Sequence, residues 1–80
     1  MDYRGYSRRI ADANKRASMD SLGVRLGRMC IKEDVSVTYV AEMFKVSRTT
    51  IYNWFTGLKI PRKYQEDKIL YFIKNYKPEE

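Results

Sequence analysis

The chain of 80 residues contains no histidine and a single cysteine, Cys30. With no second thiol there is no internal disulfide, and with no histidine beside it Cys30 cannot seed a zinc site. General acid–base chemistry loses its most frequent agent for the same reason. Hydrophobic runs are short: none approaches the ~20 apolar residues that cross a bilayer, and the N-terminus carries no signal-peptide core. There is no Gly-rich phosphate loop, no acid pair in a recognisable catalytic context, no internal repeat and no low-complexity tract. An enzyme is therefore the class with least support. No cofactor, metal or small-molecule ligand is expected, and a reducing, cytoplasmic setting fits the one thiol. Cys30 falls in the apolar rhythm of Leu22, Leu26, Met29 and Cys30, which reads as a small buried hydrophobe.

What the chain does have is positive charge. Sixteen Lys and Arg against ten Asp and Glu give a formal charge of +6. The excess is uneven: five bases to two acids over residues 1–19, five to four over 20–57, and six to four over 58–80. A polyanion is the natural partner of such flanks, although charge alone fits RNA or an acidic membrane as well as DNA. The length allows one domain, 1–80, of four or five helices, with no room for a second catalytic or sensing module.

The strongest pattern is VTYVAEMFKVSRTTIYNWFTG, residues 37–57. Val40 and Phe44 are four apart, Ile51 and Phe55 four, Ile51 and Trp54 three, so two short helices each present one apolar face. Ala41 is small where the two would cross. The step from Phe44 to Val46 breaks the rhythm. Ser36 and Ser47 stand where their side chains can accept from free N–H groups of helices beginning at Val37 and Arg48, and Gly57 supplies a left-handed closure. Two ordinary core helices would show the same caps and periodicity. Against that reading, Arg48, Thr49, Tyr52 and Asn53 project from the side opposite Ile51 and Trp54, and nearly all can bond base edges or phosphates.

Here the chain resembles the lambda-repressor and Cro-like helix-turn-helix family, over about residues 22–73. Upstream, LGVRLGRMCIKEDVS looks like that family's first helix and link; downstream, GLKIP looks like the Gly-x-Lys-x-Pro that follows its recognition helix. The resemblance implies an all-α, four- to five-helix DNA-binding domain with a helix-turn-helix at 37–57. It implies that the helix from Ser47 to Thr56 enters the major groove, with Arg48, Thr49, Tyr52 and Asn53 at the bases and Thr38, Ser47, Lys59, Arg62 and Lys63 at the sugar-phosphate backbone. The partner is then double-stranded DNA, bound by a homodimer at a palindromic site, and the design is that of a small phage-type repressor. Two positions depart from the family: Lys45 stands where its members usually have glycine, and Val37 where many have a phosphate-gripping glutamine. Thr38 or backbone N–H groups would take over that grip. A homeodomain, suggested by Trp54-Phe55, fails because Gly57 stands where that family needs an adenine-reading asparagine. A protein-interaction module of antitoxin or anti-repressor type uses similar helices and remains the alternative.

Three further segments complete the reading. Tyr3, Tyr6, Ile10, Ala13 and Ala17 recur at three and four, so residues 1–19 read as a basic helix or arm. Its Arg4, Arg8, Arg9, Lys15 and Arg16 either contact phosphates or form a solvated face. Ser18, Asp20 and Ser21 offer caps for a helix to about Lys32, in which Gly23 and Gly27 each cost up to about 1 kcal/mol relative to alanine and so point to a close neighbour. A last helix, 61–76, is expected from Pro61 to about Tyr76, ended by Pro78, with Ile69, Phe72, Ile73 and Tyr76 inward. Leu70 and Tyr71 face elsewhere, as a dimer contact or as cover for the N-terminal helix.

Overall fold

Serines open four of the five helices among the described residues. In a computed structural model that describes residues 6–76, five helices follow one another: α1 (Arg8–Arg16), α2 (Leu22–Lys32), α3 (Val37–Phe44), α4 (Arg48–Phe55) and α5 (Lys63–Asn75). The Ser7, Ser36 and Ser47 hydroxyls accept from the N–H groups of Ile10, Tyr39 and Thr50, each three residues on, so each satisfies one of the donors that a helix start leaves unpaired. Ser21 holds the same position before α2 without a side-chain bond. The all-helical expectation therefore stands, and α3 and α4 lie where the 37–57 pattern puts them.

The ends of α2 and α3 close in the same manner. Asp34 (φ 61°) and Lys45 (φ 58°) both adopt the left-handed conformation. After α2, Val35 N–H reaches back to Cys30 O and Asp34 N–H to Ile31 O; after α3, Val46 N–H reaches Ala41 O and Lys45 N–H reaches Glu42 O. Such paired bonds occupy carbonyls that the last turn would leave bare. The glycine-free turn after α3 is thus a regular one, made at the steric cost of a Cβ in left-handed backbone. Gly57 (φ 78°) closes α4 at no such cost.

Packing centres on α4. Val40, Phe44, Ile51, Phe55, Leu26 and Ile69 are fully buried, with the Phe44 ring edge-on to Trp54 and Phe72 at 5.9 Å. Glycine is what lets α2 and α4 meet. A Cβ on Gly23 would lie 2.9 Å from Trp54 Cβ and from Trp54 O, and one on Gly27 would lie 2.6 Å from Phe55 Cγ. No side chain fits at those separations, so the two glycines are a contact seam as expected from their cost to α2.

Two expectations are corrected, and one of two open alternatives is removed. The apolar stripe of the N-terminal helix is displaced: α1 begins only at Arg8, Ala11 and Asn14 are its buried residues, Tyr6 is buried ahead of the helix, and Ile10 and Ala13 are half-buried. Pro61 does not begin the last helix; Arg62 is its N-cap, and Pro61 is buried beside Gly23, with Cδ 3.2 Å from where a Cβ would be. Leu70 and Tyr71 do not cover α1, which packs against α2 and α4; they are 49 % and 71 % exposed. Tyr3, Arg4 and Pro78 lie outside the described residues.

Candidate nucleic-acid interface

The sequence confers two different faces on α4. Ile51, Trp54 and Phe55 turn inward onto α2 and α3, which leaves the first turn, Arg48 and Thr49, exposed. Tyr52 and Asn53 are half-buried one turn later. All four lie on one helix, within two turns, and none carries an acidic charge. Ser47 precedes them, but its Oγ is engaged twice at the helix start, accepting from Thr50 N–H and sharing a 3.0 Å hydrogen bond with Thr50 Oγ1.

A shallow groove beside the C-terminal half of α4 gathers Thr50, Asn53, Lys59 and Arg62. Lys59 N–H donates to Asn53 O at 3.1 Å, so the loop after α4 is fastened to the helix whose side chains it flanks. Lys59, Arg62 and Lys63 are exposed along this loop and the start of α5. Cations grouped beside a helix that offers exposed hydroxyl and guanidinium donors and a half-buried amide have the donor chemistry that phosphates and base edges accept from. Thr38 is exposed on the first turn of α3, while Arg8, Arg9, Lys15 and Arg16 are exposed along α1. Among the described residues no three His, Cys, Asp or Glu side chains cluster to hold a metal ion, and no helix is long and apolar enough to cross a membrane.

Two residues that support this face were not legible as such in the sequence. Asn14 is 1 % exposed, and its amide Nδ2 donates to Phe55 O at 2.6 Å and to Val24 O at 3.1 Å. It accepts in turn from Arg28 Nε at 3.0 Å, and Arg28 Nη2 donates to the Asn14 and Lys15 carbonyls at the end of α1. Through one buried amide, α1 holds the last turn of α4 against α2. Tyr6, fully buried, adds a second tie: its ring lies 5.5 Å from Phe55 and edge-on to Tyr52 at 6.4 Å. Burial pushes the Tyr6 hydroxyl far above the ordinary phenol range, so it is neutral at any physiological pH. Tyr52 is accordingly a braced side chain, whereas Arg48 and Thr49 extend freely.

Compared with known proteins, the chain matches no family model, no curated protein and no solved structure.

Proposed function

We propose that this chain is a sequence-specific double-stranded DNA-binding transcriptional regulator of Cro-like design, a repressor in which α3, the Lys45 turn and α4 act as a helix-turn-helix. The observation that carries the reading is the division of α4, seamed to α2 by Gly23 and Gly27 on one side and bearing Arg48 and Thr49 exposed on the other. A helix fixed in this way presents side chains to a groove in one register.

The chemistry assigned to each residue follows from its donors. Arg48 can place two guanidinium donors on guanine O6 and N7, Asn53 can pair with the adenine edge, and Thr49 can bond a polar edge or meet a thymine methyl. Tyr52, braced by Tyr6, contacts a base or phosphate from a fixed position. Lys59, Arg62 and Lys63 neutralise phosphates and set the register without reading sequence, and Thr38 contacts the backbone from α3. With Ser47 engaged at the helix start, its backbone contact falls to its own N–H rather than to the hydroxyl. A single module spans too few base pairs to select one site in a genome, so the design needs two copies on two-fold half-sites.

Retardation of random duplex DNA through a salt series tests the DNA reading, with a steep loss of affinity as salt rises expected from counterion release. Arg48→Ala is expected to lose ~1–3 kcal/mol on the selected site and little on random DNA, while Lys63→Ala weakens both alike and lowers the salt slope by about one. Equal losses for Arg48→Ala on both DNAs would remove its base-reading role. No binding even at low salt would turn the assignment to a protein-interaction module.

A further inference from the structure

The segment from the end of α4 to the start of α5 carries more than a phosphate grip needs. Its sequence, GLKIPRKY over residues 57–64, interleaves Lys59, Arg62 and Lys63 with large apolar side chains. Leu58 at 75 %, Ile60 at 71 % and Tyr64 at 65 % are three of the four most exposed large hydrophobic side chains among the described residues, so they form one patch rather than scattered sites. The cations can hold phosphates, but Leu58 and Ile60 have no donor to offer one. They need an apolar surface.

The charge around them selects the partner. From Met43 to Gln65 the chain has five Lys and Arg and no Asp or Glu, so this stretch, α4 included, is matched to a polyanion and not to another copy of a basic protein. A duplex offers both anionic strands and, between its base steps, apolar faces.

The backbone that carries the pair is held at three points. Gly57 N–H donates to Trp54 O at 3.2 Å, Lys59 N–H donates to Asn53 O at 3.1 Å, and Pro61 is buried against Gly23 of α2. Leu58 and Ile60 are therefore exposed from fixed positions on either side of Lys59. The eight residues of α4 make it about 12 Å long, comparable with the width of the major groove. With its first turn at the base edges, the residues past Thr56 fall at the strand that divides the major groove from the minor one.

We infer that Leu58 and Ile60 form a minor-groove wedge: inserted at one base step, they part the stacked bases and kink the duplex while Lys59, Arg62 and Lys63 hold the flanking phosphates. Apolar wedges of this kind bend DNA towards the major groove by roughly 20–90°. Unstacking is easiest at TA and CA steps, so the wedge adds a sequence preference at a step that Arg48, Thr49 and Asn53 do not read. The inference rests on the DNA-binding reading and adds bending and indirect readout to it.

Energy transfer between dyes at the two ends of a short duplex, carrying the site selected from random sequences, tests it with the full chain. A fluorescent adenine analogue placed at successive steps locates the parted one. The native chain is expected to bring the duplex ends together and to brighten the analogue at one TA or CA step. Leu58→Ser combined with Ile60→Ser is expected to straighten the bound duplex and to weaken binding about tenfold or more, the scale of an apolar side chain returned to water, with the salt slope and the helical circular dichroism signal unchanged. Lys59→Ala is expected to do the reverse, lowering the salt slope by about one and keeping the bend. A bound duplex that stays straight, a bend that survives the double serine variant, or a salt slope that falls with that variant would each overturn the wedge. If the bend survives, loss of binding to phosphatidylserine vesicles in the same variant would assign the loop to a bilayer surface instead. The two readings fail separately: a straight complex whose affinity falls steeply with salt sinks only the wedge, and no complex at low salt sinks the regulator with it.

Discussion

Replacing Asn14 by leucine removes a buried amide while keeping the branch at Cγ, so the loss falls chiefly on hydrogen bonding, with the bulkier methyl groups adding to it in a close-packed site. Three bonds go: from Nδ2 to Phe55 O, from Nδ2 to Val24 O, and from Arg28 Nε to Oδ1. Phe55 O belongs to the last turn of α4, where carbonyls have no partner within the helix, so its loss costs about 1–3 kcal/mol. Val24 O and the part-buried Arg28 group add roughly 1 kcal/mol together, because the first is an internal helix carbonyl and the second can rehydrate. The sum is about 3 kcal/mol, a large fraction of what holds a small domain together. At roughly 4–8 °C per kcal/mol for this size, the melting temperature should fall by about 12–24 °C. Thermal and urea unfolding followed by far-ultraviolet circular dichroism reads both. Asn14→Asp serves as a sharper companion, since it keeps an acceptor for Arg28 but sets a carboxylate oxygen against Phe55 O; it should be no more stable than the leucine variant. A loss below about 1 kcal/mol for Asn14→Leu, or a fully stable Asn14→Asp, would refute the view that this amide ties α1, α2 and α4 together.

Other perturbations have signs fixed by the same geometry. Gly27→Ala should destabilise by ~1–3 kcal/mol through overpacking against Phe55, more than the ~1 kcal/mol that alanine gains in helix propensity; a rise in melting temperature would show that the seam can open. Lys45→Gly should stabilise by up to about 1 kcal/mol, because φ 58° costs a lysine what it does not cost glycine, and an unchanged or lower urea midpoint would contradict this. Cys30, whose thiol burial pushes up to about 12, should resist a disulfide reagent at pH 8 at any rate faster than global unfolding. Its folded value is the raised one, so its contribution is complete below the pH at which an unfolded cysteine ionises, about 8.5, and is lost as pH climbs towards 12. The stability gap between the native chain and Cys30→Ala should therefore narrow from pH 8 to pH 11, and a constant gap would argue against a buried neutral thiol.

The local half of this architecture was legible because it is written locally. Ser36 and Ser47 are read as caps from the apolar rhythm three and four residues beyond them, and both hydroxyls make the expected bond. The cost of Gly23 and Gly27 to a helix was itself the signal of a close neighbour. What was not legible depends on partners distant in sequence. Asn14 is an ordinary polar residue on a basic helix until Phe55, 41 positions away, supplies the carbonyl that makes its burial favourable. With Asn14 inward, α1 rotates relative to the stripe that its alanines suggest. Pro61 misled for a related reason: its ring suits a first helical turn, but contact with Gly23 holds it ahead of one, and Arg62 takes the cap. Of the site, the exposed Arg48 and Thr49 follow directly from the α4 period, whereas the bracing of Tyr52 by Tyr6 required the fold.

The seam between α2 and α4 has a practical corollary. Because Ile51, Trp54 and Phe55 carry the packing of α4, the exposed Arg48 and Thr49 almost none of it and the half-buried Asn53 only part, the outward letters can be rewritten while the inward ones stay fixed. A library randomised at Arg48, Thr49 and Asn53 alone, with Tyr52 kept for its brace, should yield folded proteins in most members. If α4 reads DNA as proposed, the domain would then serve as an interchangeable reading head, its preferences altered at three codons without re-engineering the body that bears them.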